Sequence, residues 1–220
     1  MINDPAELEK FWAGEFGNEY TARNQGDNLI ASNISLFSKI FANIAPIRSL
    51  IEFGANAGLN LTAIRRLFPQ ISLSAIEINS QAVRELERLE NIRIYHTSIP
   101  EFQPDYPRDL VLTKGVLIHI HPDKLSQTYD LLYQTSERYI CLAEYYNPSP
   151  VEVTYRGHGG RLFKRDFAGD LLDKFKDLRL RDYGFVYRRD RNFPQDDLNW
   201  FLLEKKLPLS FQGRGWGGVG

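Results

Sequence analysis

The stretch Leu50–Asn60, Leu-Ile-Glu-Phe-Gly-Ala-Asn-Ala-Gly-Leu-Asn, decides the fold that the sequence predicts. An apolar run with a single carboxylate, Glu52, ends at Gly54, and a helical pattern of apolar residues begins after Gly58. This order predicts a strand, a glycine-rich turn and a helix. Glycines in such a turn allow positive φ and the close approach of a ligand to the backbone. The turn is typical of the nucleotide-binding crevice of a doubly wound sheet, although an ordinary strand-to-helix loop with two glycines has the same pattern.

Strands and helices alternate around this turn, which predicts a parallel sheet with right-handed crossovers. The predicted helices are Pro5–Ala13 (capped by Asp4), Asn28–Asn43, the helix after Gly58, Gln81–Leu89, Asp123–Thr135 and Asp166–Phe175. The predicted parallel strands are Ser49–Phe53, Ser72–Ile78, Ile92–His96, Asp109–Thr113 and Tyr139–Glu144. Two further strands, Leu178–Tyr187 and Trp200–Glu204, follow without a helix between them and predict a hairpin. Gly14–Asn24 shows no clear period.

Composition narrows the class of protein. The chain has 220 residues, 43% hydrophobic and 25% charged, which describes one globular domain. A net charge of −1 gives no electrostatic reason to expect nucleic acid or a membrane as partner. Cys141 is the only cysteine, so one chain can form neither a disulfide nor a multi-cysteine metal site, and we expect no metal. The N-terminus shows no signal-peptide pattern, so we expect a cytoplasmic protein.

The alternation of elements stops after Glu144. Tyr145–Lys164 is too irregular for a core element, and a loop of this length is usually functional. We therefore expect one domain over residues 1–211, with a helical N-terminal cover over 1–45 and an acceptor lid over 145–165. The glycine-rich tail, residues 212–220, is predicted to be disordered.

A second acid helps to identify the ligand. Glu77 lies 25 residues after Glu52, at the end of the second predicted strand, where a carboxylate accepts hydrogen bonds from ribose hydroxyls. The turn reads E-x-G-x-x-x-G and lacks the closely spaced glycines of the dinucleotide fingerprint, G-x-G-x-x-G. It is poorly suited to a pyrophosphate. The expected negative field of Glu52 instead favours a ligand with a sulfonium and an amine.

Four segments resemble motifs of the class I S-adenosylmethionine-dependent methyltransferases, in the expected order. They are Glu52–Gly58 (motif I), Ile76–Asn79 (the second-strand acid), His96–Pro100 (the adenine-contacting motif, with Ser98 where many members carry Asp) and Asp109–Ile120 (the fourth-strand motif). The resemblance implies a single-domain α/β Rossmann-like fold with a seven-stranded, mostly parallel sheet and an antiparallel hairpin at one edge. It implies S-adenosyl-L-methionine as cofactor and S-adenosyl-L-homocysteine as product.

The cofactor-binding residues that this resemblance and the N-terminal cover imply form one set. They are Tyr20, Arg23, Glu52, Gly54, Asn56, Gly58, Asn60, Glu77, Ile78, Ser98, Ile99, Lys114 and Gly115. Of these, Arg23 is a candidate partner of the methionyl carboxylate with Tyr20 beside it, and a plain surface salt bridge is the alternative.

A wider resemblance covers nearly the whole chain before the tail. Phe11–Asn24, Glu144–Pro148, Leu162–Gly169 and Asp182–Tyr187 look like segments of the pseudaminic acid biosynthesis-associated methylases. This resemblance implies a nonulosonic-acid-type sugar or sugar nucleotide as acceptor, in surface polysaccharide or flagellin glycan biosynthesis. A methyltransferase of peptides, proteins or small amines is the first alternative. A non-catalytic cofactor-fold protein in a glycosylation complex is the second.

The catalytic candidates are groups expected near the carboxyl edge of the sheet. His119 and His158 are candidate general bases, and Tyr145 follows the fifth strand. For His119 the alternative is a packed histidine that caps the next helix. For Tyr145 the alternative is a loop that packs back on the sheet.

The acceptor is expected to contact the lid. The candidate substrate-binding residues are Tyr146, Asn147, Arg156, Arg161 and Lys164. Arginine binds carboxylate or phosphate with paired hydrogen bonds, so the basic lid favours a small anionic acceptor. The alternative is a solvated charge run without a ligand, and the sequence leaves the oligomeric state open.

Overall fold

Short apolar runs between polar turns form the strands of the protein. The computed structural model describes residues 4–206. The strands are β1 (Ser49–Phe53), β2 (Ser72–Glu77), β3 (Ile92–His96), β4 (Arg108–Lys114), β5 (Ser136–Glu144), β6 (Val151–Tyr155), β7 (His158–Lys164), β8 (Leu178–Val186) and β9 (Leu198–Lys205). Seven of them form one sheet in the order β3-β2-β1-β4-β5-β9-β8, and β6 pairs with β7 in a separate two-stranded sheet.

The α-helices begin either after a glycine or after a residue whose side chain caps the first turn. They are α1 (Pro5–Ala13), α2 (Glu15–Arg23), α3 (Asp27–Phe41), α4 (Leu59–Leu67), α5 (Ser80–Leu86), α6 (Pro122–Thr135) and α7 (Phe167–Lys174), with a 3₁₀ turn at Leu117–His119. Asp4 caps α1 by accepting from the backbone N–H of Ala6 at 2.9 Å, and Pro5 occupies the first turn, where its missing N–H is no loss. Among residues 4–206, none of the helices combines the length and the apolar character needed to cross a bilayer.

The topology confirms the predicted seven-stranded sheet. The strands β3, β2, β1, β4 and β5 are parallel, and β8 and β9 form an antiparallel hairpin at the β5 edge. The central strands are almost entirely buried because helices cover both faces. One face packs against α3 and α4 through residues such as Phe37 and Ile64, and the other packs against α6 and α7 through residues such as Leu132 and Leu171.

Two segments differ from the sequence expectation. Gly14–Asn24 contains the helix α2, whose pattern is weak because only Gly17 and Thr21 are buried. The lid, expected to be irregular, contains the β6–β7 hairpin, and its turn residues Arg156 and Gly157 have φ values of 48° and 85°. Positive φ at both positions is typical of a two-residue hairpin turn. The alternation in Val-Glu-Val-Thr-Tyr was the signal for β6. The glycine-rich tail lies outside the described residues.

Candidate active site

A cavity of about 510 Å³ lies at the carboxyl ends of the parallel strands. Its floor consists of the turn after β1, the ends of β2 and β4, and the segment after β3. The chain adds β2 and β3 on one side of β1, and then β4 and β5 on the other side. Open α/β sheets bind ligands at the point where the strand order reverses in this way. Helices α1, α2 and α3, the 3₁₀ turn, the start of α6 and the loop between β8 and β9 supply the remaining walls.

The glycine turn has the positive φ values that its glycines allow. Gly54, Asn56 and Gly58 have φ values of 73°, 46° and 76°. A Cβ on Gly54 would lie 2.8 Å from a methyl group of Val116, and a Cβ on Gly58 would lie 2.6 Å from Leu89. Gly54 and Asn56 line the cavity, whereas Gly58 lies outside its lining. Because Gly58 has no side chain, the segment that follows α5 can pack directly against the turn. In the same way, Gly54 lets the residues at the 3₁₀ turn pack against it.

Glu77 is held rigidly beside this turn. Its Oε2 accepts from the backbone N–H of Asn56 at 2.7 Å, and its Oε1 accepts from that of Asn79 at 2.8 Å. Burial raises the pKa of Glu77, and these backbone donors oppose the rise. The carboxylate lines the cavity, and its two oxygens retain lone pairs for a ligand with adjacent hydroxyls.

Glu52 is fully buried beneath the cavity and does not line it. Its Oε1 accepts from Asn60 Nδ2 at 2.6 Å, and burial raises the pKa of Glu52 to about 8. The hydrogen bond from Asn60 and the charge of Lys114 oppose this rise, and the negative field that the sequence suggested for Glu52 stays a prediction. Asn60 and Lys114 do line the cavity, and burial lowers the pKa of Lys114 while Glu52 opposes that change.

One part of the cavity lies between α1 and the segment that follows β3. Ile78, Ser98 and Ile99 line it, together with Leu8 and Glu9 of α1. Gly115 also lines the cavity. The structure thus brings together most of the predicted cofactor residues from four separate loops.

The 3₁₀ turn after β4 is positioned by Glu144. The Glu144 carboxylate accepts from the N–H groups of Val116 and Leu117, at 3.0 and 3.1 Å, and burial raises the pKa of Glu144 to about 7. This contact holds Leu117–His119 against the end of β5. In the sequence, only the position of this carboxylate at the end of a buried strand indicated that Glu144 has this role.

His119 lines the cavity as a neutral side chain. Its Nδ1 lies 2.7 Å from the carbonyl oxygen of Arg161, and because a carbonyl only accepts, we assign the ring proton to Nδ1 and leave Nε2 as an acceptor. Burial lowers the pKa of His119 to about 4. The ring packs against Trp12 and Tyr155, with centroids 4.5 and 5.0 Å away.

The other catalytic candidates lie outside the cavity lining. His158 packs against Phe11 and Phe16, with ring centroids 5.3 and 6.0 Å away. Burial and the neighbouring Asp196, a hydrogen-bond partner, raise the pKa of Tyr145. Asp196, in the loop between β8 and β9, does line the cavity, and no local sequence pattern indicated it.

The predicted acceptor residues also lie outside the lining. The cations of the lid rest on aromatic rings: Arg156 lies 5.9 Å from the Tyr155 ring, Arg161 4.5 Å from Phe11 and Lys164 5.1 Å from Tyr145. Tyr146 is 40% exposed, and Asn147 donates to the carbonyl oxygen of Ser149. The acceptor roles of these residues stay predictions.

The N-terminal cover is attached to the site by polar contacts that the sequence did not reveal. Thr21 Oγ1 donates to Asn56 Oδ1 at 2.7 Å, and Asn79 Nδ2 donates to Asn18 Oδ1 at 2.9 Å. Tyr20 lines the cavity. Arg23 instead pairs with the exposed Glu19 at 3.2 Å, and its guanidinium lies 5.8 Å from the Phe16 ring.

Comparisons with known proteins identify the fold. No protein-family model and no curated protein matches the sequence. Solved structures do match. The 1,6-didemethyltoxoflavin-N1-methyltransferase of Burkholderia thailandensis, with bound S-adenosylhomocysteine, has a TM-score of 0.69 at 12% identity and covers 93% of this chain and 92% of its own. The protein described here has the class I methyltransferase fold.

Two further structures have the same methyltransferase fold. Magnesium protoporphyrin IX methyltransferase from Synechocystis has a TM-score of 0.63 at 11% identity, over 94% of this chain and 99% of its own. The N-methyltransferase NodS from Bradyrhizobium japonicum has a TM-score of 0.61 at 13% identity, over 91% and 97%. At such identities the shared feature is the methyltransferase fold, and the first two proteins are named for different acceptors.

Proposed function

We propose that the protein is a methyltransferase that uses S-adenosyl-L-methionine and releases S-adenosyl-L-homocysteine. The observation that carries this proposal is Glu77, a carboxylate whose two oxygens are oriented by backbone donors at the wall of a cavity in this fold. Such a group is suited to the adjacent hydroxyls of a ribose. The neighbouring structures with bound S-adenosylmethionine or S-adenosylhomocysteine support the choice of cofactor.

The lining residues fit the three parts of this cofactor. Glu77 would bind the ribose, and the apolar side chains of Ile78 and Ile99 would enclose the base. Asn60 and the ammonium of Lys114 would bind the amino-acid part, since an ammonium pairs with a carboxylate. Gly54 has no side chain and Asn56 has a short one, so the turn leaves room for the cofactor.

The bound cofactor would supply an electrophilic methyl group on a sulfonium sulfur. The protein's part is then to align the acceptor, exclude water and receive a proton. Trp12 and Tyr20 cover the cavity from the N-terminal side, and their rings are 5.4 Å apart. His119 Nε2 would receive that proton, since its neutral ring donates from Nδ1 to the Arg161 carbonyl and stands on the 3₁₀ turn that Glu144 positions.

The first acceptor class is a nonulosonic-acid-type sugar or sugar nucleotide, as the sequence resemblance implies. Arg156 and Lys164 support it, because they lie on the rings of Tyr155 and Tyr145 beside the cavity. A movement of the β6–β7 hairpin would bring these cations to an anionic acceptor, and the lid glycines suit such a movement. Surface polysaccharide or flagellin glycan biosynthesis is the corresponding pathway.

The second acceptor class is an amine, of a small molecule or a peptide. Two observations favour it. Asp196 lines the cavity with a carboxylate that interacts with Tyr20 and Tyr145. In addition, His119 with a pKa of about 4 is a weak base, and it matches an amine better than a hydroxyl that needs strong deprotonation.

An acceptor screen tests both classes. Purified protein is incubated with cofactor labelled in the methyl group and with matched panels of nonulosonic acids, their sugar nucleotides, small amines and peptides. Sugar methylation that falls in Arg156→Gln supports the first class, and amine methylation that falls in Asp196→Asn supports the second. Failure of S-adenosylhomocysteine to bind in calorimetry would contradict the methyltransferase proposal. Binding with no transfer to any panel would favour the non-catalytic alternative.

A further inference from the structure

Helix α1 places a carboxylate inside the cavity. Glu9 lines the part of the cavity between α1 and the segment that follows β3, next to the buried Leu8 of the same helix. Opposite them lie Ser98 and Ile99, which are only 5% and 8% exposed. Here the cavity is lined by apolar side chains together with the Glu9 carboxylate, the Ser98 hydroxyl and the Lys124 ammonium, which suits a flat ring with a polar edge.

The surroundings of Glu9 leave its carboxylate with unused acceptor capacity. Glu9 is half-buried and faces the Ser98 hydroxyl, with Glu101 and Lys124 nearby. Burial and the charge of Glu101 raise the pKa of Glu9, while Lys124 and Ser98 oppose the rise. A carboxylate has about four lone-pair sites, and one that loses water in a cavity is stabilised by a ligand donor.

Helix α1, which carries Glu9, is attached to the same strand end that carries Glu77. Asn79 lies two residues after Glu77, and its Nδ2 donates to the carbonyl oxygens of Trp12 and Ala13, at 3.2 and 3.3 Å. These carbonyls belong to the last turn of α1. The packing of α1 against the end of β2 therefore sets the distance between the Glu9 carboxylate and the Glu77 carboxylate.

We propose that Glu9 selects the base of the bound nucleoside by accepting a hydrogen bond from an exocyclic amino group. The proposal rests on the proposed function, because Glu77 must bind the ribose for the base to lie in this part of the cavity. An amino group, as in adenine, donates to a carboxylate. A carbonyl oxygen in the same position, as in hypoxanthine, has no proton to donate and is repelled by the charge.

The test compares two ligands and three proteins by calorimetry. The ligands are S-adenosylhomocysteine and S-inosylhomocysteine, which differ in the base substituent that Glu9 would contact. The proteins are the wild type, Glu9→Gln and Glu101→Gln. Glu101 is the matched control because it is a neighbouring carboxylate that is exposed and does not line the cavity.

We expect the wild type to bind S-adenosylhomocysteine at least tenfold more tightly than S-inosylhomocysteine. In Glu9→Gln this ratio should fall at least tenfold, because the amide donates to a carbonyl as readily as it accepts from an amine. Glu101→Gln should keep the wild-type ratio. An unchanged ratio in Glu9→Gln, with a melting temperature equal to that of the wild type, would overturn the assignment of Glu9 alone. A wild type that binds neither ligand would overturn the proposed function as well.

Discussion

Glu77 Oε2 accepts a 2.7 Å hydrogen bond from the backbone N–H of Asn56, so the end of β2 is attached to the middle of the glycine turn. The two features that the sequence singles out separately are therefore parts of one structure. The contact orients the carboxylate, and it also stabilises Asn56 at a positive φ of 46°.

Glu77→Ala should weaken the binding of S-adenosylhomocysteine at least tenfold, because it removes both hydrogen-bond acceptors for the ribose. Glu77→Gln should lie between the wild type and alanine. The measurement is isothermal calorimetry, with Glu87→Ala on the exposed end of α5 as control. Unchanged affinity in Glu77→Ala would contradict the site assignment.

The stability of the protein should fall as pH rises through the pKa of Glu52. Its pKa is about 8 in the folded protein and 4.5 for the unperturbed group, so the folded state holds a proton that the unfolded state has lost. The contribution is fully present below about pH 4.5 and is lost as the pH rises towards 8, on the order of a few kcal/mol at most.

Glu52→Gln removes this titration and keeps an acceptor for Asn60. The melting temperatures of the wild type and Glu52→Gln should therefore diverge between pH 5 and pH 9, in favour of the variant at high pH. Parallel pH curves for the two proteins would show that Glu52 does not titrate in this range.

His119 should remain neutral down to about pH 5, because burial lowers its pKa to about 4. Nitrogen NMR should show the proton on Nδ1 and a bare Nε2 throughout the range from pH 8 to pH 5.5. The His119 resonance is identified as the one that is absent from the spectrum of His119→Gln. A His119 signal that titrates near pH 6.5 would rule out the buried, neutral state described here.

The cover should become more protected when cofactor binds. Tyr20 lines the cavity, and Thr21 contacts the glycine turn, so amides of residues 20–24 should exchange more slowly after S-adenosylhomocysteine is added. Hydrogen-exchange mass spectrometry measures this, with α7 as an internal reference away from the cavity. Equal exchange with and without ligand would remove α2 from the cofactor site.

Gly17→Ala should damage the junction between α1 and α2. A Cβ at Gly17 would lie 1.8 Å from the carbonyl oxygen of Trp12, a separation that only a shift of the helices can relieve. We expect a loss of about 2 kcal/mol or more in unfolding free energy and weaker cofactor binding. Gly159→Ala is the control, because its Cβ would meet Glu152 at an ordinary 3.7 Å. Equal melting temperatures for the two variants would contradict this packing.

Local patterns were sufficient for the sheet and for the floor of the site. The predicted β1 and β3 agree with the structure at both ends, and α1 begins at Pro5 as its cap predicts. Gly54, Asn56 and Glu77 meet at the carboxyl edge as expected, because parallel strands end on the same side of a sheet. The helix α2 was missed because its buried face has only a glycine and a threonine.

The sequence by itself determined the strand-turn-helix at Leu50–Asn60 and the position of Glu77, since both follow from short-range periodicity and strand ends. Only the tertiary structure decided which side chains from distant segments complete the cavity. Glu9 and Asp196, which no local pattern indicated, meet the predicted His119 there because α1, the 3₁₀ turn and the β8–β9 loop pack over the same strand ends. The protonation of Glu52 and His119 also depends on tertiary structure, because burial shifts a pKa and no local pattern specifies burial to that degree.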